Sequence, residues 1–367
     1  MEIMSVSVYQ HDLPIVGGPY VMSSGPLYAL DTTLVRIETA AGQVGWGETC
    51  PLGPTYAPAH AEGARAALSV LGPAVVGKDI SRPRVVRRAM DEALNGHAYA
   101  KAAIDIAVHD ALGKALGRSL ADLMGGQMQG DVPSYCALNV GDPAETARLA
   151  LERVGEGYRR IQMKVGGRSL DEDIEAARAV ARAIDGRARL VLDANRSLST
   201  AEALALSAAL ADLTLKLEQP CETWAACRSL IGRLNHPLLL DESADNLAVI
   251  AEMIGSGGVD GFGIKLTRMG GPQAMVAVRD LCEAAQMPHT CDDSWGGDII
   301  AAACIHLGST VDPRLLEGVW TALPYVEKRY DPALNLRPID GRLRVPSGPG
   351  LGLDIDREMF GSPVARF

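Results

Sequence analysis

Five short apolar runs in the sequence each end in an acidic or a basic residue. Asp193, Glu218 and Asp241 end three successive runs, and Lys164 and Lys265 end the runs before and after them. Burying three carboxylates together is costly without a compensating cation, and oxygen-only ligands favour Mg²⁺. We therefore expect the three acids to bind Mg²⁺. Two lysines beside such a site suit the removal and return of a proton next to a substrate carboxylate.

The spacing of the five runs predicts how the fold positions them. They are Ile161–Lys164, Leu190–Asp193, Leu215–Glu218, Leu238–Asp241 and Gly263–Lys265. Their ends recur at intervals of about 23–29 residues, which fits one strand, one helix and two loops of a parallel α/β barrel. The carboxyl ends of the strands in such a barrel meet at one mouth. The acids should therefore converge there, with one lysine on each side of them.

The same alternation of strands and helices extends from about residue 132 to about residue 320. Further strands are expected at Tyr135–Leu138, Pro288–Asp292 and Arg314–Glu317. Helices are expected at Asp171–Ile184, Ser199–Ala211, Ala244–Gly255, Gln273–Ala285 and Asp298–Leu307. An open doubly wound sheet is the alternative, but it usually has a glycine-rich phosphate-binding turn near its first strand, and the sequence shows none there. Eight strands of this kind predict a closed barrel.

The first 125 residues have a different order, in which strands come first and helices follow. The strands are expected at Met4–Tyr9, Thr33–Thr39 and Gln43–Glu48, and the helices at Ala59–Leu71, Arg82–Leu94 and Tyr99–Leu116. Segregated strands and helices are typical of an α+β unit. We therefore divide the chain into an N-terminal α+β capping domain (1–125), a barrel domain (126–340) and a C-terminal segment (341–367) that packs back on the capping domain.

The composition of the chain restricts the classes of molecule that the protein is expected to bind. The net charge of −10 and the lack of a Lys/Arg cluster argue against nucleic acid. Seven scattered cysteines without metal-site spacing indicate reduced thiols and a cytoplasmic protein. The longest apolar stretch, near Ile299–Ile305, is far shorter than the roughly 20 residues that span a bilayer. We expect a small-molecule substrate and neither a nucleic-acid nor a membrane partner.

Taken in order, the motifs resemble those of the enolase superfamily, in its muconate-lactonizing (mandelate racemase/muconate lactonizing enzyme) subgroup. They are KVGG (164–167), DANRS (193–197), LEQP (217–220), LDES (240–243), IKLTRMGG (264–271) and DDSWGGD (292–298). The resemblance spans essentially the whole chain and implies a (β/α)7β-type modified TIM barrel, usually assembled into dimers or octamers. It also implies that the three acids bind Mg²⁺ and that Lys164 and Lys265 are the catalytic acid/base pair. The family often has Lys-x-Lys at the second strand, where this chain has Gln162 before Lys164, so metal and burial must lower the pKa of that lysine.

The resemblance also bears on the substrate. In the amino-acid epimerases of this subgroup, acids at the seventh strand end hold the substrate's α-ammonium, and Asp292 and Asp293 occupy that place here. Trp320, just past the eighth strand, and Tyr56, in a Pro-rich capping loop, add aromatic faces that attract quaternary ammonium groups. Together with Gln162 they form the expected substrate contacts. The loop Gly17–Gly25 is expected to fold over the mouth.

The strings GPTYAP (53–58), CDDSWGGD (291–298) and EGVW (317–320) resemble the 4-hydroxyproline betaine 2-epimerases, which also invert proline betaine. The resemblance implies a Mg²⁺-dependent epimerase or racemase that moves a proton at Cα between two lysines, through an enediolate. A cis-3-hydroxy-L-proline dehydratase and another amino-acid racemase or epimerase of the subgroup remain open. A non-catalytic solute-binding protein would be expected to lack a metal ligand or a lysine, and all five are present.

Overall fold

The computed structural model describes residues 1–22 and 25–367. Its N-terminal part contains β1 (Ile3–Pro14), β2 (Tyr20–Met22), β3 (Gly25–Leu27), β4 (Ala29–Thr39), β5 (Val44–Thr49), α1 (Ala61–Val75), α2 (Pro83–Ala93), α3 (Ala98–Leu116) and α4 (Leu120–Leu123). Strands β1, β4 and β5 form an antiparallel sheet, and β2 and β3 form a separate hairpin. The predicted α+β capping domain is confirmed.

Helix α3 lies directly on strand β5 because two glycines remove the side chains between them. A Cβ atom at Gly45 would lie 2.0 Å from the carbonyl oxygen of Ala107, and one at Gly47 would lie 1.8 Å from that of Ala103. Glycine in a strand often marks such a close backbone approach. This packing fixes β5, and with it Glu48.

Glu48 joins the capping domain to the barrel. Its side chain is fully buried and accepts hydrogen bonds from the hydroxyls of Thr32 (2.9 Å) and Tyr330 (2.8 Å). It also accepts from the backbone N–H groups of Gly297 (2.8 Å) and Ile300 (3.2 Å), which lie just before and within the first turn of a barrel helix. Burial raises the pKa of Glu48 to about 6.

The next part of the chain alternates strands with helices. Its strands are β6 (Asp131–Pro133), β7 (Cys136–Leu138), β8 (Arg160–Lys164), β9 (Arg189–Asp193), β10 (Leu215–Glu218), β11 (Leu238–Leu240), β12 (Gly261–Phe262), β13 (His289–Thr290) and β14 (Leu316–Gly318). Its helices are α5 (Pro143–Gly155), α6 (Leu170–Ile184), α7 (Thr200–Ala209), α8 (Trp224–Arg228), α9 (Leu247–Ser256), α10 (Leu266–Met269), α11 (Pro272–Ala284) and α12 (Asp298–Ser309).

Strands β7 to β14 form one parallel sheet in chain order. Its two edges meet at a seam, where Ser134 and Val319 form a parallel bridge and the Val319 N–H donates to the carbonyl of Pro133. Each of the first seven strands is followed by a helix, and in the described part of the chain no α-helix follows β14. The (β/α)7β barrel is confirmed.

Several elements of the barrel differ from the sequence-based expectation, α5 and β12 among them; the short helices α8 and α10 were also not predicted. Helix α5 was not predicted, although Asp142 caps it by accepting from two backbone N–H groups and Pro143 starts it, which is a readable helix start. Strand β12 ends at Phe262, so the strand expected at Gly263–Lys265 is wrong. Lys265 instead directly precedes the short helix α10, and its backbone bridges to Asp292.

The C-terminal residues pair first with a strand of the barrel part of the chain and then with the capping domain. Strand β15 (Arg342–Arg344) pairs with β6, and β16 (Ala365–Arg366) pairs with β1. The ring of Phe367 lies against Gly72, where a Cβ atom would come within 2.3 Å of it. The boundaries at residues 125 and 340 remain sequence-based predictions. No helix among the described residues is long and apolar enough to cross a bilayer.

Candidate active site

A cavity of about 490 Å³ lies at the carboxyl ends of the barrel strands. Eight of the ten predicted site residues line it: Tyr56, Gln162, Lys164, Asp193, Asp241, Lys265, Asp293 and Trp320. The remaining two, Glu218 and Asp292, are not part of the lining; Glu218 contacts Arg160, and Asp292 contacts Lys265, which does line the cavity. The structure therefore brings residues from six barrel strand ends and the capping domain to one place.

The three predicted metal ligands lie side by side. Lys164, Asp193 and Glu218 are register partners across β8, β9 and β10, and Asp241 directly follows β11. The three acids are at most 2% exposed. Burial, followed by the charge of Asp193, raises the pKa of Glu218 to about 8. At Asp241 burial is outweighed by the charges of Lys265 and Arg268, and the pKa is lowered. A bound cation would favour the ionised form of Glu218 as well.

Basic side chains already approach each acid. The contacts are Lys164 Nζ to Asp193 Oδ2 (2.5 Å), Arg160 Nη2 to Glu218 Oε2 (3.3 Å) and Arg268 Nη1 to Asp241 Oδ1 (2.7 Å). As these side chains stand, no three acidic, histidine or cysteine groups among the described residues are arranged as a metal-binding set. The chemistry of the donors, three buried carboxylates that attract cations, nevertheless fits Mg²⁺.

Glu242 is a fourth acid at this mouth and was absent from the sequence-based prediction. Asn195 donates to its Oε1 at 2.9 Å, and in the described part of the chain its buried Oε2 has no hydrogen-bond partner. Burial, followed by the charges of Asp241 and Asp193, raises the pKa of Glu242 to about 7. Its position next to a strand-end acid, in the motif LDES, was the signal available in the sequence.

The two lysines lie on either side of the acids. Lys164 contacts Asp193, whereas the Nζ atom of Lys265 lies 3.5 Å from carboxylate oxygens of both Asp241 and Asp292. Burial acts to lower the pKa of each lysine, but the neighbouring carboxylates outweigh it and the pKa of both is raised. This direction is opposite to what a general base needs, so the lysines require additional positive charge nearby.

Gln162 stands at the position where the resemblance leads to the expectation of a lysine. Its Nε2 donates to Asp193 Oδ2 at 2.8 Å, and the side chain also lines the cavity. Gln162 therefore orients a predicted metal ligand without adding a charge beside Lys164.

Aromatic rings form one wall of the cavity. Trp320 lies nearly perpendicular to Trp295 (centroids 5.6 Å apart) and is stacked on Tyr325 (5.8 Å), and Tyr20 packs edge-on against Trp295 (5.1 Å). Tyr20, Trp295 and Trp320 all line the cavity. We call these three residues, together with Tyr325, which stacks on Trp320, the aromatic wall. Only Trp320 was predicted, although Trp295 stands inside the quoted motif DDSWGGD.

One residue of the predicted covering loop Gly17–Gly25, Tyr20, reaches the cavity at the mouth of the barrel. Tyr20 begins strand β2, and its ring reaches the cavity. Ser23 and Ser24 of this loop lie outside the described residues.

Asp293 supplies a negative charge to the cavity. It accepts hydrogen bonds from the N–H and hydroxyl of Thr267 (2.8 Å each) and from the N–H of Ser294 (2.7 Å). Burial raises the pKa of Asp293 to about 6. Asp293 lines the cavity, and its contact with a cationic substrate stays a prediction.

Tyr56 lines the cavity, but two arginines hold it. Arg196 donates to its carbonyl (2.5 Å) and lies 5.9 Å from its ring centroid, and Arg268 donates to its hydroxyl at 3.4 Å. Tyr56 is thus held on the side of the cavity where Asp241 lies, because Arg268 contacts both residues.

The surroundings of the Asp292 side chain differ from those expected of a substrate contact. Its side chain is fully buried, with Oδ2 accepting from the Tyr135 hydroxyl (2.8 Å) and Oδ1 from the Trp320 N–H (2.6 Å). Sequence spacing could not reveal this, because Tyr135 is 157 positions away from Asp292 along the chain.

Family models match both parts of the chain. The mandelate racemase/muconate lactonizing enzyme N-terminal domain matches residues 3–125, and the enolase C-terminal domain-like model matches residues 145–359. These matches agree with the capping domain and barrel described above.

Curated relatives and solved structures match over nearly the full length. A cis-3-hydroxy-L-proline dehydratase of Roseibium aggregatum is 37% identical and covers 100% of both chains, and a chloromuconate cycloisomerase of Delftia acidovorans is 32% identical and covers 98% of both. An enolase-superfamily structure from Roseovarius nubinhibens complexed with magnesium has a TM-score of 0.94 at 32% identity, covering 100% of this chain and 99% of that one. An N-succinyl Arg/Lys racemase of Bacillus cereus has a TM-score of 0.91 at 25% identity, with the same coverage.

Proposed function

This chain belongs to the mandelate racemase/muconate lactonizing enzyme subgroup of the enolase superfamily, and from that premise we propose that it is a 2-epimerase of proline betaine and 4-hydroxyproline betaine. Its relatives are dehydratases, cycloisomerases and racemases. The observation that carries the choice of substrate is the aromatic wall, which shares one cavity with both lysines and Asp293.

Asp193, Glu218 and Asp241 are the residues that would hold Mg²⁺. When bound, Mg²⁺ supplies positive charge that neutralises these acids, lowers the pKa of the nearby lysines and stabilises the negative charge developing on the substrate carboxylate.

The lysines perform the proton transfer. One takes the Cα proton from one face of the substrate, and the other returns a proton to the opposite face, which inverts the configuration. The N-methylated ammonium lies against Trp320 and Asp293. A quaternary nitrogen has no N–H to donate, so an aromatic face with a nearby carboxylate suits it.

A second candidate, a cis-3-hydroxy-L-proline dehydratase, is favoured by the relative that is 37% identical over the full length. In that substrate the hydroxyl lies on the same face of the ring as the carboxylate, so the Cα proton lies on the opposite face. One lysine would remove this proton, and the other would protonate the departing hydroxyl as the Cα–H and Cβ–O bonds break. The same pair of lysines thus suits both reactions.

One experiment separates the two candidates. The protein with Mg²⁺ is incubated in D₂O with proline betaine, with cis-3-hydroxy-L-proline and with free L-proline as the control. We expect deuterium at Cα of the betaine by NMR, together with loss of optical rotation. The contrary result is that the betaine keeps its Cα–H while cis-3-hydroxy-L-proline loses water and becomes the cyclic imine. That result would overturn the epimerase proposal in favour of the dehydratase.

A further inference from the structure

We propose that Asp292 is a positioning residue that holds Lys265 for proton transfer on one face of the substrate, and that it does not bind the substrate itself; this rests on the two-lysine function proposed above. Asp292 is fully buried and Lys265 is 7% exposed. Lys265 Nζ lies 3.5 Å from Asp292 Oδ2. The carboxylate is thus beside the amine and is not part of the cavity lining.

The backbone fixes the same pair. The N–H of Asp292 donates to the carbonyl of Ile264 (2.9 Å), and the N–H of Leu266 donates to the carbonyl of Asp292 (2.7 Å). These two bonds flank Lys265 and form its bridge to Asp292. Because β12 ends three residues earlier, this bridge is what continues the sheet at Lys265.

The side chain of Asp292 is itself fixed from two other strands. Tyr135, which directly precedes β7, donates its hydroxyl to Oδ2, and Trp320, which follows β14, donates its N–H to Oδ1. The ring of Tyr135 is backed by the guanidinium of Arg160, 4.1 Å from its centroid. One carboxylate therefore sets the position of Lys265 relative to a ring of the aromatic wall.

Among the described residues, the other lysine has no such second carboxylate partner. Lys164 forms its ion pair with Asp193, which is a predicted metal ligand. Lys265 has a predicted ligand, Asp241, on one side and Asp292, which has no role at the metal, on the other. The two faces of the substrate are therefore served by lysines that are held in different ways.

The test compares the two faces in the full-length protein with Mg²⁺. The rate of Cα–H loss in D₂O is measured separately for each enantiomer of proline betaine, with Lys164→Ala and Lys265→Ala showing which enantiomer each lysine serves. For Asp292→Asn we expect about a 100-fold loss for the Lys265 enantiomer and less than threefold for the other, with a nearly unchanged KM. The asparagine oxygen still accepts from Trp320, but its amide no longer attracts the ammonium.

Tyr135→Phe provides a milder variant that keeps the carboxylate. We expect a loss of about three- to tenfold for the same enantiomer only, because Oδ2 loses one of its donors. Asp340→Asn is the matched control, since Asp340 is exposed and lies outside the active-site cavity, and it should leave both rates unchanged.

Equal losses for both enantiomers in Asp292→Asn and Tyr135→Phe, or a change confined to KM, would overturn the positioning role. Failure of the proposed function looks different, because the wild-type protein would then exchange neither enantiomer. If Asp292→Asn does not fold, as judged by circular dichroism, the face-selective loss in Tyr135→Phe decides the question.

Discussion

Two of the regions that bury carboxylates in this molecule satisfy them in opposite ways. At the joint between the domains, Glu48 accepts from two hydroxyls and two backbone N–H groups, all of them neutral. At the barrel mouth, Asp193, Glu218 and Asp241 face one another and draw in lysine and arginine side chains. A single buried acid can be stabilised by neutral donors and serve structure alone. Several acids together need cations, and that need marks a site for chemistry.

Removal of the metal should have the largest effect, and it should affect the barrel mouth and not the joint between the domains. We expect EDTA to abolish epimerisation, and excess Mg²⁺ to stabilise the fold by about 3 kcal/mol at 100 times its Kd. Thermal unfolding with and without Mg²⁺ measures this. Glu218→Gln should lose the Mg²⁺-dependent rise in Tm, whereas Glu48→Gln should keep it. An unchanged Tm in wild type would count against a metal at the mouth.

The lysines come next in expected effect. Lys164→Ala and Lys265→Ala should each reduce inversion of proline betaine by about 10²- to 10⁴-fold, because each removes a general acid/base. Polarimetry measures the loss. Both variants should fold normally, and the exposed Lys328→Ala serves as control. Normal epimerisation by both variants would refute the two-lysine mechanism.

At the joint between the domains, where Glu48 lies, the expected effect is on the free energy of unfolding. The pKa of Glu48 is raised from 4.5 to about 6 in the folded protein. A raised pKa means that the contribution of Glu48 to stability is fully present below about pH 4.5 and is lost as the pH rises through about 6, a change of about 2 kcal/mol. Denaturant unfolding should be measured at pH 4.5 and at pH 7 for wild type and for Glu48→Gln. Between these two pH values, the free energy of unfolding of wild type should fall by about this amount relative to that of the variant. A difference that does not depend on pH would contradict the prediction.

The smallest effect is expected at the aromatic wall. Trp320→Ala should weaken binding of proline betaine by about 0.5–2 kcal/mol, and binding of free proline by less, since cation–π attraction favours the desolvated methylammonium. Calorimetric titration of both ligands measures this. Trp224→Ala is the matched control, because Trp224 lies on helix α8, outside the cavity. Equal losses for the two ligands would argue against ammonium recognition by the wall.

The sequence predicted the barrel because its strand ends combine a regular interval with charged residues. Lys164, Asp193 and Glu218 proved to be register partners because each ends a strand of the same parallel sheet. The end of β12 was misplaced, since the GIK string reads as strand while the backbone of Lys265 continues only through its bridge to Asp292.

Contacts between distant parts of the chain could not be read from spacing. Tyr20 belongs to the capping domain and Trp295 to the barrel, yet their rings touch at the cavity. The hydrogen-bond donors to the Asp292 carboxylate are Tyr135 and Trp320, which lie next to the two strands that meet at the seam. Residue type alone therefore made Asp292 and Asp293 look equivalent, whereas their neighbours separate them.

The seam itself has a consequence for how the barrel opens. Strands β8 and β9 share five register pairs, whereas β7 and β14 are joined through one bridge beside Tyr135 and Trp320. Strands β12 and β13 are also joined by a single register pair. Amide hydrogen exchange should consequently be faster at these two junctions than between β8 and β9. Local opening at the seam would leave the strand ends that carry Asp193 and Glu218 paired, so a bulky ligand could enter or depart without disturbing the opposite side.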